Sequence, residues 1–357
     1  MLLPDLRIRN YRLFKEFEVE RLAQVNLIAG RNNTGKSSLL EAAYLVANPD
    51  VPSALNDVLK VRGESDRKES IVFPLFYGYR LSPGLAIEIS SGDKNVRCSI
   101  PEHEEIERVL EEVAQTRAGP TQLDEEREPA LPMRIDYSGG EKPWWFLLRG
   151  EDGTVSGGFR RRVLPWQYEE HKRAFLLEGA VSLYGKFREM ERLWDKISLT
   201  PQAGDIIEAL RIIEPRVKGL DFLRAKDNVK VLLEGEEKPI LVGSLGDGMR
   251  HLLMIALLLA SARGGALLVD EVDTGLHYTV LIDMWRLIFQ TAKRLNVQVL
   301  ATTHSWDCIT AFSQAWNEAE ESEGLYLRLS RKGEQIRPVF YTAEGLSVAV
   351  KQEIEVR

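Results

Sequence analysis

Gly30-Arg31-Asn32-Asn33-Thr34-Gly35-Lys36-Ser37, with Ser38 directly after it, has the residue types and spacing to hold phosphate. The stretch fits G-x-x-x-x-G-K-S/T, whose glycines let successive backbone N–H groups turn inward around phosphate oxygens. In that pattern Lys36 reaches the β- and γ-phosphates and Ser37 holds Mg2+. The flanks agree. Val25-Asn26-Leu27-Ile28-Ala29 reads as a short buried strand, and Ser38 to Ala47 carries Leu39, Ala43 and Val46 at helical spacing. A helix starting here adds the partial positive charge of its N-terminus to the loop. Strand, glycine loop and helix in this order predict a chain that binds a nucleoside triphosphate.

Three further groups extend that chemistry. Ala266-Leu267-Leu268-Val269-Asp270-Glu271 is an apolar strand ending in two acids. Carboxylates at the C-terminal end of such a strand face the ligand crevice, which suits Asp270 to Mg2+ and Glu271 to polarising an attacking water. Ala301-Thr302-Thr303-His304-Ser305 follows the next predicted strand, so His304 is a candidate for stabilising charge on the transferred phosphoryl group. Ser244-Leu245-Gly246-Asp247-Gly248-Met249-Arg250 opens a helix. It is either a glycine turn before a buried helix or a second anion-binding helix start formed by the N–H groups of Gly246, Asp247 and Gly248. A P-loop already serves its own nucleotide. The second reading therefore requires a neighbouring subunit's nucleotide, and with it a head-to-tail homodimer.

Composition narrows the class. The 357 residues, 44% hydrophobic and 28% charged, are those of a globular chain with a sizeable core. The longest apolar run, Leu252 to Ala260, is too short to cross a bilayer, and no signal peptide opens the chain. Cys98 and Cys308, far apart and without metal-ligand spacing, predict reduced thiols in a cytoplasmic protein. A net charge of −7 gives no global electrostatic argument for nucleic acid.

The elements that must position these groups come from both ends of the chain. Leu6 to Arg9 and Phe17 to Val19 alternate as paired strands. Beyond the P-loop helix, Ile71 to Tyr79, Leu85 to Ser90, Val96 to Ile100, Met133 to Tyr137, Trp144 to Leu148 and Phe159 to Leu164 read as strands, interrupted by an acidic helical and loop stretch over Glu102 to Glu128. Leu176, Ala180, Leu183, Phe187, Met190, Trp194 and Ile197 alternate steps of four and three, predicting a regular helix from Tyr168 to Ile197. A second helix covers Gly204 to Ile213, and Leu220 to Leu223 and Asn228 to Leu233 read as strands. The expected division is a nucleotide core of residues 1–60 and 240–357, an antiparallel region of 61–165, and a helical arm of 166–239.

In this order along the chain, the P-loop, Leu245 to Met249, Leu267 to Glu271 and Thr303-His304-Ser305 resemble the ATP-binding cassette ATPase head. They resemble most its RecF/SMC-like branch and the ATPase part of the OLD family of AAA-type ATP-binding proteins. Ile8-Arg9-Asn10-Tyr11-Arg12-Leu13-Phe14 is similar to the start of those heads. The resemblance implies an α/β fold: a P-loop NTPase core sheet, an antiparallel β subdomain and an inserted helical subdomain. It also implies ATP and Mg2+ as cofactors, with Lys36, Glu271 and His304 catalytic. Gly246 to Gly248 then act as the signature, and Arg9, Asn10 and Arg12 lie near the base or phosphates. Gln167 becomes the Mg2+- and water-linked glutamine. Gly246 replaces the usual signature serine, and His277 stands where the D-loop has Asp. The arm reads as too short for an SMC coiled coil, and no TOPRIM nuclease region is expected. The expected function is ATP-driven dimerisation that controls a separate effector such as a nuclease, with DNA as a partner and no membrane. Arg160-Arg161-Arg162 and His171-Lys172-Arg173 are either DNA contacts or solvated surface. A non-hydrolysing ATP switch and a small-molecule kinase are the competing readings.

Overall fold

Val25–Gly30, Ala266–Val269 and Gln298–Thr303 are largely apolar, and in the computed structural model every residue of the three is buried, Asn26, Gln298, Thr302 and Thr303 included. Strands of this kind belong in the middle of a parallel sheet covered on both faces. They lie in a six-stranded sheet whose order is Ala174–Leu177, Ala266–Val269, Gln298–Thr303, Val25–Gly30, Gly324–Lys332 and Gln335–Tyr341. The first five run parallel and the last closes an antiparallel hairpin. The structure describes residues 1–65, 69–116, 131–138, 140, 143–149, 153–156, 174–177, 187–224, 227–319 and 324–357.

Alternation along the strands divides the interior into two cores. Leu267, Val269, Val299, Ala301, Leu27 and Ala29 face one side, where the helices Asp247–Ser261, Leu281–Leu295 and Trp306–Glu318 pack. Ala266, Leu268, Leu300 and Ile28 face the other, with the P-loop helix Lys36–Ala47. That helix is buried over every residue but Ser37, because a second six-stranded sheet covers its far side. The second sheet is antiparallel throughout, in the order Phe14–Val19, Leu6–Tyr11, Ala86–Ser91, Lys94–Ser99, Leu131–Tyr137 and Trp144–Leu148. Arg7, Ile8 and Arg9 pair with Ser90, Ile89 and Glu88, so the first two strands join this sheet rather than the parallel one. The P-loop helix is the filling of a two-sheet sandwich.

Two expectations for the middle of the chain need correction. Ala174–Leu177 is a strand, parallel to Ala266–Val269, and only Phe187–Ile197 of the long predicted helix is helical among the described residues. A four-residue apolar run satisfies both periodicities, and burial beside the acidic strand decides for strand. Phe187, Met190 and Ile197 do face the core, so the later part of the helical stripe packs on its own domain. Ile71 to Tyr79 is not one strand either. After Glu69–Ile71 it folds into short 3-10 turns at Phe73–Leu75 and Tyr77–Tyr79, since Pro74 has no N–H to give a ladder and Gly78 takes φ 75°. The strand expected at 159–164 lies outside the described residues. Helices Gln202–Arg211 and Phe187–Ile197 and a three-stranded sheet of Val217–Leu223, Asn228–Leu233 and Ile240–Leu241 make up the insertion before the last third. Among the described residues no helix is long and apolar enough to cross a membrane.

Candidate active site

The P-loop leaves the C-terminal end of Val25–Gly30 and lines a cleft of about 460 Å³. Gly35 caps the helix at φ 91°, and a Cβ there would fall 2.7 Å from the Phe14 ring, so the position admits only glycine. Lys36 is folded into the loop rather than extended from it. Its Nζ donates to Gly30 O at 2.7 Å and Arg31 O at 3.1 Å, and Thr34 Oγ1 donates to Arg31 O at 2.8 Å. Burial pulls the Lys36 pKa below its ordinary value, against the opposing pull of Asp270 and Glu271. The loop is already wrapped around its own ammonium.

The acidic strand meets the P-loop directly. Ser37 Oγ donates to Asp270 Oδ2 at 2.6 Å, and Thr302 Oγ1 donates to Asp270 Oδ1. The same Thr302 hydroxyl accepts from Glu271 N–H at 2.9 Å. One side chain thereby orients both acids. Asp270 N–H donates to Leu177 O at 2.7 Å, which gives the strand missed at 174–177 a role in holding the carboxylate. Glu271 sits at φ 51°, in the left-handed region where a side chain is strained. Thr274 Oγ1 donating to Glu271 O and Val272 N–H donating to Thr302 O keep it there. His304 Nδ1 lies 3.6 Å from Glu271 Oε1, both half-exposed. Thr303 Oγ1 donates to Asp273 Oδ1 at 2.7 Å and accepts from Ser305 N–H, and Ser305 caps the helix that follows.

Replacing Thr302 by Val is therefore expected to lower kcat for phosphate release about 10- to 100-fold, the usual loss when an orienting partner is removed, with nucleotide affinity little changed. Steady-state phosphate release and equilibrium nucleotide binding on the same variant check both halves.

The oxygen donors fit a hard divalent cation. Ser37 and Asp270 supply a hydroxyl and a carboxylate within 2.6 Å of each other at the cleft. Among the described residues no group of three or more His, Cys, Asp or Glu is placed to hold a metal ion.

Residues 1–135 match the family described as "AAA ATPase domain", and residues 147–307 match "AAA domain, putative AbiEii toxin, Type IV TA system". The chain is 21% identical to an ATP/GTP phosphatase of Helicobacter pylori over 374 aligned residues, 99% of each. Over 113 residues it is 35% identical to the DNA double-strand break repair Rad50 ATPase of Archaeoglobus fulgidus, covering 29% of this chain and 13% of that one. In fold it is similar to an SmcHead bound to the C-winged helix domain of ScpA, with TM-score 0.53 and 13% identity over 96% of this chain and 98% of that one. Its matched stretches are of AAA-type ATPase domains, and in fold it resembles the ATPase heads of the RecF/SMC-like group.

In this ATPase head the remaining candidates divide sharply. Arg12 lines the cleft, but its guanidinium is committed to carboxylates. It donates to Glu41 at 2.7 Å and bidentately to Glu64 at 2.8 and 2.9 Å. Arg9 is exposed beside Glu88 at 3.5 Å, and Asn10 Nδ2 donates to Ala86 O, so both serve the antiparallel sheet and do not line the cleft. Asn32, Asn33 and Ser38 line it; Arg31 is exposed beside it. Gly246, at φ 94°, caps the helix Asp247–Ser261, and Gly246 and Asp247 are exposed and outside this cleft. A Cβ on Gly248 would fall 2.4 Å from Gly275 O, so the Gly246–Gly248 turn and the loop beyond the acidic strand abut. Gln167, Arg160 to Arg162 and His171 to Arg173 lie outside the described residues.

Thr302, Arg62, Glu64 and Tyr79 join the head's site without having been singled out from sequence. Thr302 stood one residue from a motif already in view. Glu41 is signalled by being the one charge in Leu39-Leu40-Glu41-Ala42-Ala43. Arg62, Glu64 and Tyr79 carry no local pattern, since only the antiparallel sheet's loops bring them to the cleft.

Proposed function

We propose that this ATPase head hydrolyses ATP with Mg2+ at two composite sites of a head-to-tail homodimer, and that closure of the dimer on nucleotide controls a separate effector acting on DNA. The observation that carries the reading is the separation of two glycine-capped helix starts. Lys36–Ala47 opens into the cleft, whereas Asp247–Ser261 opens onto the surface, with its exposed signature turn outside that cleft. The second start finds a triphosphate only in another copy.

Lys36 would leave its loop carbonyls for the β- and γ-phosphates, and Ser37 with Asp270 would hold Mg2+, which neutralises charge on those oxygens. Glu271 accepts a proton from the attacking water. The water oxygen bonds to the γ-phosphorus while the bond to the β–γ bridging oxygen breaks, and His304 donates to the departing phosphate. The Glu271–His304 contact favours hydrolysis over a passive switch. Control of an effector and a DNA setting draw support from the relatives, one described in double-strand break repair and one solved with a bound winged-helix partner.

Mixing two inactive variants tests the composite site. Lys36→Ala removes the P-loop lysine. Ser244→Trp blocks the signature turn at an exposed position. Each alone is expected to lose phosphate release, and the mixture to recover part of it, because one of its two sites pairs an intact P-loop with an intact signature. A mixture as inactive as its components would rule out the shared site.

A further inference from the structure

Tyr79 is an aromatic residue in a place that folding alone does not account for. Its side chain is 57% exposed, and its backbone sits at φ 57° directly after Gly78 at φ 75°. A non-glycine residue in the left-handed region is strained, and an exposed ring gains little from burial to offset it. The turn is nonetheless firmly anchored. Leu75 and Phe76 are buried, Tyr79 N–H donates to Phe76 O at 3.0 Å, and Arg12 N–H donates to Leu75 O at 2.7 Å. The Phe73 ring meets the Tyr79 ring edge-on, with centroids 6.4 Å apart. The ring meets Phe73 on one side, is more than half exposed, and lines the same cleft as the P-loop.

We propose that Tyr79 is the platform on which the nucleobase stacks, and that this platform accepts purines without distinguishing adenine from guanine. The inference rests on the nucleotide reading of the cleft and deepens it. The P-loop takes the phosphates, so the base falls on the part of the cleft built by the antiparallel sheet's loops. The charged side chains of that wall, Arg12, Arg62 and Glu64, are each held in an ion pair. Both Glu64 carboxylate oxygens accept from Arg12, and Arg62 Nε donates to Glu41. A ring face with its polar neighbours so occupied reads the area of a base and not its edge, since every base has a π-face.

The test titrates ATP, GTP and inorganic tripolyphosphate, each with Mg2+, into the hydrolysis-blocked Glu271→Gln protein carrying Tyr79, Tyr79→Phe or Tyr79→Ala. ATP and GTP are expected to bind within about threefold of each other and more tightly than tripolyphosphate. Tyr79→Ala should weaken both purines about 5- to 150-fold and leave tripolyphosphate unchanged, while Tyr79→Phe keeps wild-type affinity. Equal weakening of all three ligands makes Tyr79 a structural residue and overturns the platform. Unchanged purine affinity in Tyr79→Ala also overturns it, leaving the P-loop reading intact. A preference for ATP over GTP above tenfold overturns the base tolerance. Failure of the Tyr79-containing protein to bind any of the three removes the nucleotide reading and the platform with it.

Discussion

Replacing Glu271 by Gln is expected to slow phosphate release from ATP about 10²- to 10⁴-fold, the range for loss of a positioned general base, while nucleotide stays bound. Gln keeps the shape and accepts a hydrogen bond, but it takes no proton from water. The backbone of residue 271 is fixed by Thr302, Thr274 and its own left-handed φ, so the amide occupies the carboxylate's place. Binding is preserved because Lys36, Ser37 and Asp270 are untouched. Single-turnover phosphate release and nucleotide retention on a sizing column read the two effects separately, and the same column reads the dimer. Equal rates for the two proteins would take Glu271 out of the mechanism.

The largest effect on stability is expected from Arg12→Ala, about 3–5 kcal/mol, as when one partner of a buried ion pair is removed. Glu41 is 2% exposed and accepts from Tyr11 OH, Arg12 and Arg62; the Arg12 side chain is 8% exposed and bridges Glu41 to Glu64. Truncating Arg12 leaves Glu41 with Arg62 and the Tyr11 hydroxyl, and Glu64 without its bidentate partner at the cleft wall. The penalty is mostly desolvated carboxylate, so Arg12→Ala combined with Glu41→Gln should recover part of it. Urea denaturation midpoints of the single and double variants measure this, and a single variant within about 1 kcal/mol of wild type would show the network to be well hydrated.

The sequence carried the chemistry of this head more clearly than its architecture. Gly30 to Ser37, Asp270 with Glu271, and His304 stand out in the sequence because phosphate chemistry would demand particular residue types at short range, and the fold brings them together. Ser37 and Asp270 stand 233 positions apart yet were predicted to share a cation, and they are in hydrogen-bond contact. The Ala174–Leu177 strand was hidden because a short apolar run fits a helical stripe as well as a strand. Tyr79 and the Arg12–Glu41–Glu64 network were hidden for a different reason. Their meaning depends on where the antiparallel sheet closes over the P-loop helix, and no local period encodes that closure.

The position of Val25–Gly30 within its sheet has a consequence for biosynthesis. Its two neighbours, Gln298–Thr303 and Gly324–Lys332, are made long after it, so the P-loop strand waits with both edges unpaired. Non-local parallel pairing of this kind is slow to form, and an apolar strand left open is a hazard for association with other chains. The antiparallel sheet, which is complete by Leu148, can shelter one face of the P-loop helix in the interval. A nascent chain thus has the sequence for phosphate binding long before it has the site, and nucleotide can stabilise it only once Asp270 and Glu271 have been made and meet the P-loop.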